Sequence, residues 1–267
     1  MSVVAKAIEL LGFFSEETPE IGLSQICRKA KRDKATTYRH LSALEELGFV
    51  EQNPVTKAYR IGPAVLHLAE VREATVPRKS GAIGPLNVLA EAVGETAHIS
   101  VLSGKTLHAL ADCESSHHST RAVVDMEILP LHATASGLCA LAFGDESLMD
   151  AARDGIETYT SHTLSSTEAL EAAVAETKAT GFGISDRGYG DDTYGIAAPV
   201  FDQSGTLAGA VAVASVANRI TDEHAANIRR HLAVASEAIS HNWGGTIPSA
   251  IRALWNATLS SEKDSAA

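Results

Sequence analysis

Cysteine and long apolar runs are both scarce in this chain of 267 residues. The cysteines Cys27, Cys113 and Cys139 are far apart and form no paired framework, which indicates reduced thiols rather than disulfides. The longest apolar runs, such as Ala208–Val216, are about half as long as a membrane span requires. The first residues also lack the basic and then apolar layout of a signal peptide. We therefore expect a cytoplasmic protein that does not act in a membrane.

Positive charge is also in deficit overall, with a formal net charge of −11, but it is unevenly distributed. Residues 1–60 hold nine Lys and Arg against eight Asp and Glu, whereas residues 61–267 hold 13 against 25. Between Ile21 and Leu44 there are six basic side chains and one acid, Asp33. Because charges beyond about 10 Å are screened, the local excess governs attraction to phosphates. This pattern favours a DNA-binding segment attached to an acidic body.

The first sixty residues have the order of a winged helix-turn-helix. Apolar residues at helical spacing predict a first helix with a stripe formed by Val4, Ala7, Ile8, Leu11 and Phe14. A short second helix follows, and then a third that Asp33 caps and Gly48 ends. In this third helix we expect four side chains to be buried: Tyr38, Leu41, Leu44 and Leu47. A hairpin with basic residues near its tip comes next and is typical of a wing.

The outward face of the third helix carries small and hydroxylated side chains with one arginine, rather than the Glu and Lys of a solvated helix. Small residues let a helix enter the major groove, where Thr and Arg can meet bases and phosphates. The candidate DNA-binding residues on this helix and the wing are Lys34, Ala35, Thr36, Thr37, Arg39, Lys57 and Arg60.

The remainder of the chain mixes helices and strands. A linker helix over Pro63–Arg72 is predicted, with a break at Pro77–Gly84 and a new helix around Pro85–Val93. The predicted strands are Thr96–Leu102, Thr106–Cys113, Phe182–Ser185, Gly195–Phe201 and Leu207–Ser215. Further helices are predicted at Thr134–Phe143, Thr167–Thr180 and Thr221–Asn242, and disorder is expected over Ser260–Ala267.

Several segments together resemble the IclR family of transcriptional regulators. They are SQICRKA at 24–30, KATTYRHL at 34–41, LEELGFVE at 44–51, YRIG at 59–62, LPLHATASG at 129–137, GIAAPVFD at 195–202 and VAVAS at 211–215. The resemblance implies an α+β fold, in which a linker helix joins an N-terminal winged helix-turn-helix domain to a GAF-like α/β effector-binding domain. The expected boundaries are 1–62 for the DNA-binding domain, 63–80 for the linker helix, 81–245 for the effector domain and 246–267 for a C-terminal tail. It also implies a palindromic double-stranded operator bound by a homodimer or homotetramer.

One departure from the family pattern lies in the turn before the third helix, where Lys31-Arg32 stand in place of the usual Gly-Leu. The glycine supplies a positive φ at no steric cost, so Lys31 is expected to be strained there. Arg32 could lay its stem over the core and raise its guanidinium to a phosphate.

The best candidate for a ligand site is the start of the helix near residue 134. Free N–H groups and the helix dipole favour a carboxylate at that position, and the resemblance implies that this loop helps to form the effector pocket. The candidate effector-binding residues are Ala133, Thr134, Ala135, Ser136, Gly137, Gly195, Ile196, Ala212 and Ala214. At several matching strand positions, relatives that bind small carboxylates carry Cys or Ser. The small residues here therefore favour a bulkier organic acid, such as an aromatic one, although they could simply fill a tight sheet.

Other chemistries have weaker support. Asp112, Cys113, Glu114, His117 and His118 could hold a metal, but no paired ligand spacing is present, and a solvated loop is the simpler interpretation. A hydrolase with an appended N-terminal domain would need a nucleophile elbow, which the surroundings of Ser136 do not provide. We therefore predict no catalytic residue, no cofactor and no metal. A DNA-binding protein without a ligand is the third alternative.

The histidines on the predicted strands, His98 and His108, are open to two interpretations. They could be polar groups of the pocket or hydrogen-bonded interior histidines, and the second is the simpler expectation.

Overall fold

The computed structural model describes residues 2–15, 17–117, 122 and 127–265. The chain forms two compact units, Met1–Val76 and Pro77–Ala267, each with its own buried core. The first unit ends inside the predicted linker of 63–80, so residues 63–76 belong to the compact N-terminal unit and residues 77–80 to the second. Within the described part of the chain, no helix is long and apolar enough to cross a membrane.

The first unit contains three helices followed by a two-stranded hairpin and a fourth helix, with a 3-10 helix after the first. Its elements are α1 (Val3–Ile8), a 3-10 helix (Glu9–Phe13), α2 (Leu23–Ala30), α3 (Lys34–Glu46), β1 (Val50–Gln52), β2 (Tyr59–Ile61) and α4 (Ala64–Thr75). Strands β1 and β2 pair antiparallel, and Tyr59 also bridges to Ile21. This is the predicted winged helix-turn-helix order.

The predicted buried ridge of α3 is only half right. Leu41 and Leu44 are buried, but the side chains of Tyr38 and Leu47 are 54% and 67% exposed. Thr37 and His40 take their places in the core. The first helix differs as well, because Val4 and Ile8 of the predicted stripe are exposed.

The second unit is built on a six-stranded antiparallel sheet in the order β5-β4-β3-β8-β7-β6. Its strands are β3 (Thr96–Ser103), β4 (Thr106–Cys113), β5 (Ile128–Leu129), β6 (Gly183–Asp186), β7 (Thr193–Phe201) and β8 (Leu207–Val216). Its helices are α5 (Arg78–Val93), α6 (Ala135–Phe143), α7 (Ser147–Asp154), α8 (Thr167–Thr180), α9 (Asp222–Asn242) and α10 (Ser249–Ser265). Helices α5 and α9 pack together, and both α9 and α6 pack on strands β7 and β8. The mixture confirms the predicted α+β class.

Helix α5 runs through the predicted break and contains Pro85 in its interior. A proline there cannot donate to the carbonyl of Gly81, four residues earlier. The side chain of Asn242 supplies the missing donor, because its Nδ2 lies 2.7 Å from the Gly81 oxygen. The Gly81 oxygen is therefore hydrogen-bonded despite the proline, and the helix can continue through Pro85.

The predicted tail at 246–267 is also wrong, since α10 extends to Ser265 and packs on the second unit. Trp255 is 3% exposed, stacks on Phe182 at 5.8 Å and donates from Nε1 to the oxygen of Gly181 at 2.8 Å. Because α10 continues to Ser265, the expected disorder over Ser260–Ala267 is wrong for residues 260–265. Residues 266 and 267 lie outside the described part of the chain.

Candidate DNA-reading helix and ligand cavity

Helix α3 presents the predicted small and basic residues on its surface. Lys34, Ala35 and Arg39 are exposed, and Thr36 is half-buried. Asp33 caps the helix by accepting from the N–H of Thr36 at 2.8 Å, and hydrogen bonds to the Thr36 backbone and side chain lower the pKa of its carboxyl. The cap fixes the first turn, so the exposed side chains project from a defined backbone.

Thr37 does not belong to this face and is a correction to the predicted set. Its side chain is fully buried, and its Oγ1 donates to the oxygen of Asp33 at 2.9 Å. In its place the structure exposes Tyr38, on the flank of α3 next to Arg39. The predicted burial of Tyr38 is wrong, because an aromatic side chain at this spacing fits either the core or an exposed flank.

The predicted wing is a tight hairpin with Lys57 in its turn. Lys57 has a φ of 58° and is exposed. Arg60, the second predicted wing contact, is already paired with acids: its Nε lies 2.5 Å from Glu51 Oε1, and its Nη1 lies 3.6 Å from Glu20 Oε1. Lys57 is therefore the better candidate for contact with a phosphate.

The turn between α2 and α3 has a positive φ at Lys31, the position where the family pattern has glycine. Lys31 adopts the left-handed conformation with a φ of 51°. Arg32, expected as a possible phosphate contact, instead packs inside the unit. Its Nη1 donates to the oxygen of Lys6 at 2.7 Å, and its Nη2 pairs with Glu9. Its side chain is only 15% exposed, so Arg32 ties the turn to the first helix.

A cavity of about 240 Å³ lies in the second unit, between the start of α6 and the sheet. Seven strand residues, the loop and first turn at the start of α6, and the loop before β7 line it. The lining residues are His98, Leu129, Ala133, Thr134, Ala135, Ser136, Ser185, Tyr189, Gly190, Asp192, Thr193, Gly195, Ala212 and Ala214.

Seven of the nine predicted effector residues line this cavity, and Gly137 and Ile196 do not. A Cβ on Gly137 would lie 2.4 Å from the oxygen of Leu131, so this glycine permits a close packing of the loop on α6. Ile196 is fully buried in the main core, because successive side chains on β7 point to opposite faces. Its neighbour Gly195 lies on the cavity side, where a Cβ would come 3.2 Å from that of Ala135.

The start of α6 has the geometry of an anion site. The Thr134 hydroxyl accepts from the N–H of Gly137 at 3.0 Å, and the first intrahelical bond runs from Leu138 N to Thr134 O. The N–H groups of Ala135 and Ser136 precede that bond and have no partner within the helix. They lie at the positive end of the helix dipole, beside the cavity.

Sequence reasoning missed the loop that closes the other side of the cavity. Tyr189 of this loop lies against Tyr159, with ring centroids 4.8 Å apart. Thr160 and Thr163 hold the loop backbone by donating to the oxygens of Arg187 and Gly188, both at 2.6 Å. Contacts between Thr160 or Thr163 and a loop about 25 residues further along leave no periodic pattern in the sequence. They could therefore not be predicted without the fold.

Two polar side-chain atoms in the cavity wall lack a hydrogen-bond partner among the described residues. Ser136 Oγ and His98 Nδ1 are buried and make no hydrogen bond to the described residues. Burial lowers the pKa of His98 to about 4, so its ring is neutral at physiological pH. The expectation that His98 is a satisfied interior histidine is therefore wrong for Nδ1. Ser136 Oγ is not hydrogen-bonded to a base among the described residues, so this serine gives no support to the hydrolase alternative, which needs an activated nucleophile.

The charge of the lining is low. Among the described residues that line the cavity, none is Lys or Arg, and Asp192 is an exposed acid. Elsewhere in the described part of the chain, no group of three His, Cys, Asp or Glu is placed to hold a metal. That finding covers Asp112, Cys113, Glu114 and His117, whereas His118 lies outside the described residues.

A winged helix-turn-helix in one unit and a ligand-sized cavity in the other define a DNA-binding transcription regulator with a separate ligand-binding unit. Two family models match the chain: the IclR helix-turn-helix domain at residues 3–54 and the C-terminal domain of bacterial IclR transcriptional regulators at residues 75–241. The chain belongs to the IclR family of transcriptional regulators.

Individual relatives agree with this assignment. The chain is 27% identical to the HTH-type transcriptional regulator XynR of Escherichia coli K12 over 243 residues, which cover 90% of this chain and 96% of XynR. A putative IclR transcriptional regulator from Silicibacter sp. TM1040 is 37% identical, with a TM-score of 0.88 and coverage of 93% of this chain and 99% of that one. These relatives are regulators, which confirms the prediction that the chain is not an enzyme.

Proposed function

We propose that this regulator is a repressor that binds a palindromic operator in the cytoplasm, and that an aromatic carboxylic acid controls its affinity for that operator. Relatives that act as repressors support the first part: the chain is 24% identical to the transcriptional repressor IclR of Escherichia coli K12 over 91% of its length. The observation that carries the second part is the cavity at the start of α6.

Helix α3 reads the operator, with Arg39 and Thr36 at bases or nearby phosphates. Lys34 at the start of α3 and Lys57 in the wing contact phosphates. Arg39 and Ala35 are both exposed on α3. Because the side chain of Ala35 is small, this face of the helix can approach the major groove closely. Replacing Arg39 by Ala should cost about 1–3 kcal/mol if it reads a base. Replacing Lys57 by Ala should instead weaken all sequences alike and flatten the salt dependence. Unchanged operator affinity in Arg39→Ala would refute the assignment.

A homodimer or homotetramer would explain the exposed apolar side chains of the first unit. Val3, Val4 and Ile8 on α1 are 49–71% exposed, and Leu66, Leu68 and Val71 on α4 are 47–68% exposed. A second copy would cover them and place two recognition helices on two half-sites. Light scattering at micromolar concentration tests this, and a monomer with undiminished operator binding would overturn it.

The size and lining of the cavity favour an acid with a single ring. An apolar cavity of about 150 Å³ is known to hold benzene, so about 240 Å³ leaves room for a ring and its substituents. Gly195, Ala212 and Ala214 offer small apolar surfaces to the ring. The N–H groups of Ala135 and Ser136, which have no partner within α6, can donate to the carboxylate of such an acid. A solved IclR homologue from Microbacterium hydrocarbonoxydans, 19% identical to this chain, was crystallised as a complex with 4-hydroxybenzoate.

A melting screen tests the effector class. Benzoate and its monohydroxy derivatives should raise the melting temperature of the full chain, because a ligand that binds the folded state stabilises it. Acetate and pyruvate are matched small acids that leave the apolar floor uncovered and should give smaller shifts. Equal shifts with all acids, or none, would remove the aromatic acid from the proposal. Operator affinity measured with and without the best ligand then shows whether ligand binding changes the affinity for DNA.

A further inference from the structure

We propose that His98 is a specificity residue of the cavity, which selects effectors that carry a hydroxyl group in addition to the carboxylate. This inference rests on the proposed function, because it takes the cavity as the effector site. It adds a residue on β3, outside the helix start and the two strands that the resemblance identifies, and it assigns that residue a ligand group.

His98 combines a place in the cavity wall with a buried polar atom that has no partner among the described residues. The residue lies in β3, between β4 and β8, and is paired with Ala212 on β8. Its side chain is 8% exposed and lines the cavity, and Nδ1 is buried without a partner. A buried polar atom that makes no hydrogen bond is costly, so a ligand group that satisfies it gains affinity.

The other polar side chains of the cavity show that this lack is selective. Thr134 donates to the oxygen of Pro130 at 2.9 Å, and Ser185 donates to the oxygen of Ala133 at 2.7 Å. Thr193 is bonded to the carboxylate of Asp192 at 3.3 Å. These hydroxyls are occupied by the protein, whereas Ser136 Oγ and His98 Nδ1 are not.

The two free polar atoms suit two different ligand groups. Ser136 lies in the first turn of α6, where its Oγ–H and the backbone N–H groups can all donate to one carboxylate. His98 lies on the sheet and is neutral, with one donor and one acceptor nitrogen on its ring. A ligand hydroxyl can donate or accept, so it satisfies Nδ1 in either tautomer. A second carboxylate at this point would find no cation among the described lining residues.

Calorimetric titration of the full chain with benzoate and the three monohydroxybenzoate isomers tests the proposal. The parent protein should bind the best isomer about tenfold more tightly than benzoate, a difference of about 1.4 kcal/mol. In His98→Leu this ratio should fall to about one, because leucine offers no polar atom to the ligand hydroxyl. In His98→Asn, whose amide can occupy the place of Nδ1, part of the preference should return.

Stability provides a second measurement that does not depend on a ligand. Replacing an unsatisfied buried polar group by an apolar one of similar shape is neutral or stabilising, so His98→Leu should melt at or above the temperature of the parent. A marked loss of stability would show that the imidazole is bonded within the protein and would overturn the proposal.

The outcomes separate this proposal from the one on which it rests. If benzoate and all three isomers bind equally well, the effector class stands and the role of His98 is refuted. A preference that persists in His98→Leu refutes that role as well. If none of the four compounds binds the parent, both the effector class and the role of His98 fail.

Discussion

Replacing Arg32 by Ala distinguishes two roles that the sequence left open for the turn before the recognition helix. In the structure the guanidinium donates to the Lys6 oxygen at 2.7 Å and pairs with Glu9. A hydrogen bond from a charged donor contributes about 1.5–3 kcal/mol. The pair with Glu9, whose side chain is 35% exposed, adds at most about 1 kcal/mol. The variant should therefore lose about 1.5–4 kcal/mol of stability in the first unit.

Hydrogen exchange is the appropriate assay, because both tryptophans, Trp243 and Trp255, lie in the second unit and their fluorescence does not report on the first. Amides in α1 and α3 should lose protection in Arg32→Ala, while those of the second unit keep theirs. DNA binding provides the contrast. A lost phosphate contact lowers the slope of log affinity against log salt by about 0.9, whereas loss of an internal tie leaves the slope unchanged.

Lys34→Ala is the matched control, since Lys34 is exposed at the start of α3. It should lower the salt slope and leave exchange in α1 unchanged. If Arg32→Ala behaves like Lys34→Ala in both measurements, Arg32 contacts DNA and the structural role assigned to it is wrong.

Three further predictions concern the second unit. Ala214→Leu should bind the operator normally but lose its response to effector, because the added carbons occupy the cavity; a response equal to that of the parent would place the ligand elsewhere. Trp255→Ala should lower the free energy of unfolding by about 3–5 kcal/mol, since it removes the stack on Phe182 and the bond to Gly181; a loss below about 1 kcal/mol would mean that α10 contributes little. Finally, because the pKa of His98 is about 4 in the folded state against an ordinary 6.5, unfolding takes up a proton as pH falls between these values. The stability of the parent should fall there by up to about 1.4 kcal/mol per pH unit relative to His98→Leu, and equal pH profiles would contradict the buried neutral ring.

Elements with local signals could be predicted from the sequence to the residue. Strand Thr106–Cys113 and helix Thr167–Thr180 have the predicted bounds. The helix begins after a serine cap, Ser166, that accepts from the N–H of Ala169, and it ends at Gly181 with a φ of 82°. Such signals depend on a few neighbouring residues, so they survive without knowledge of the tertiary structure.

The orientation of α3 about its axis was harder to predict, because hydrophobicity gives the wrong answer at two positions. Tyr38 and Leu47 are apolar and exposed, whereas Thr37 and His40 are polar and buried. Thr37 can be buried because its hydroxyl donates to a carbonyl of the same helix, which removes the cost of losing water. A polar residue that satisfies itself locally cannot be distinguished from a surface residue by pattern alone.

Helix α10, by contrast, has a local signal in its sequence. Ile247, Ile251, Leu254 and Trp255 recur at helical spacing, and all except the half-buried Leu254 are buried. The small polar residues after Ser260 are typical of a disordered tail, whereas the apolar spacing before them predicts a helix. Packing of Trp255 against Gly181 then fixes the segment, and a Cβ on that glycine would lie 2.6 Å from the indole.

The cavity shows why half of a site can be predicted and the other half cannot. The start of α6 and the small residues of β7 and β8 lie in segments that resemble the family, so they could be named in advance. His98 could not, because its role depends on β3 lying beside β8, an arrangement made by strands more than 100 residues apart. Ala212, opposite His98 on β8, also lines the cavity, so a small side chain stands beside the imidazole there. The proposed contact between the histidine on β3 and a ligand therefore depends on this pairing with a small residue of β8, which local sequence does not reveal.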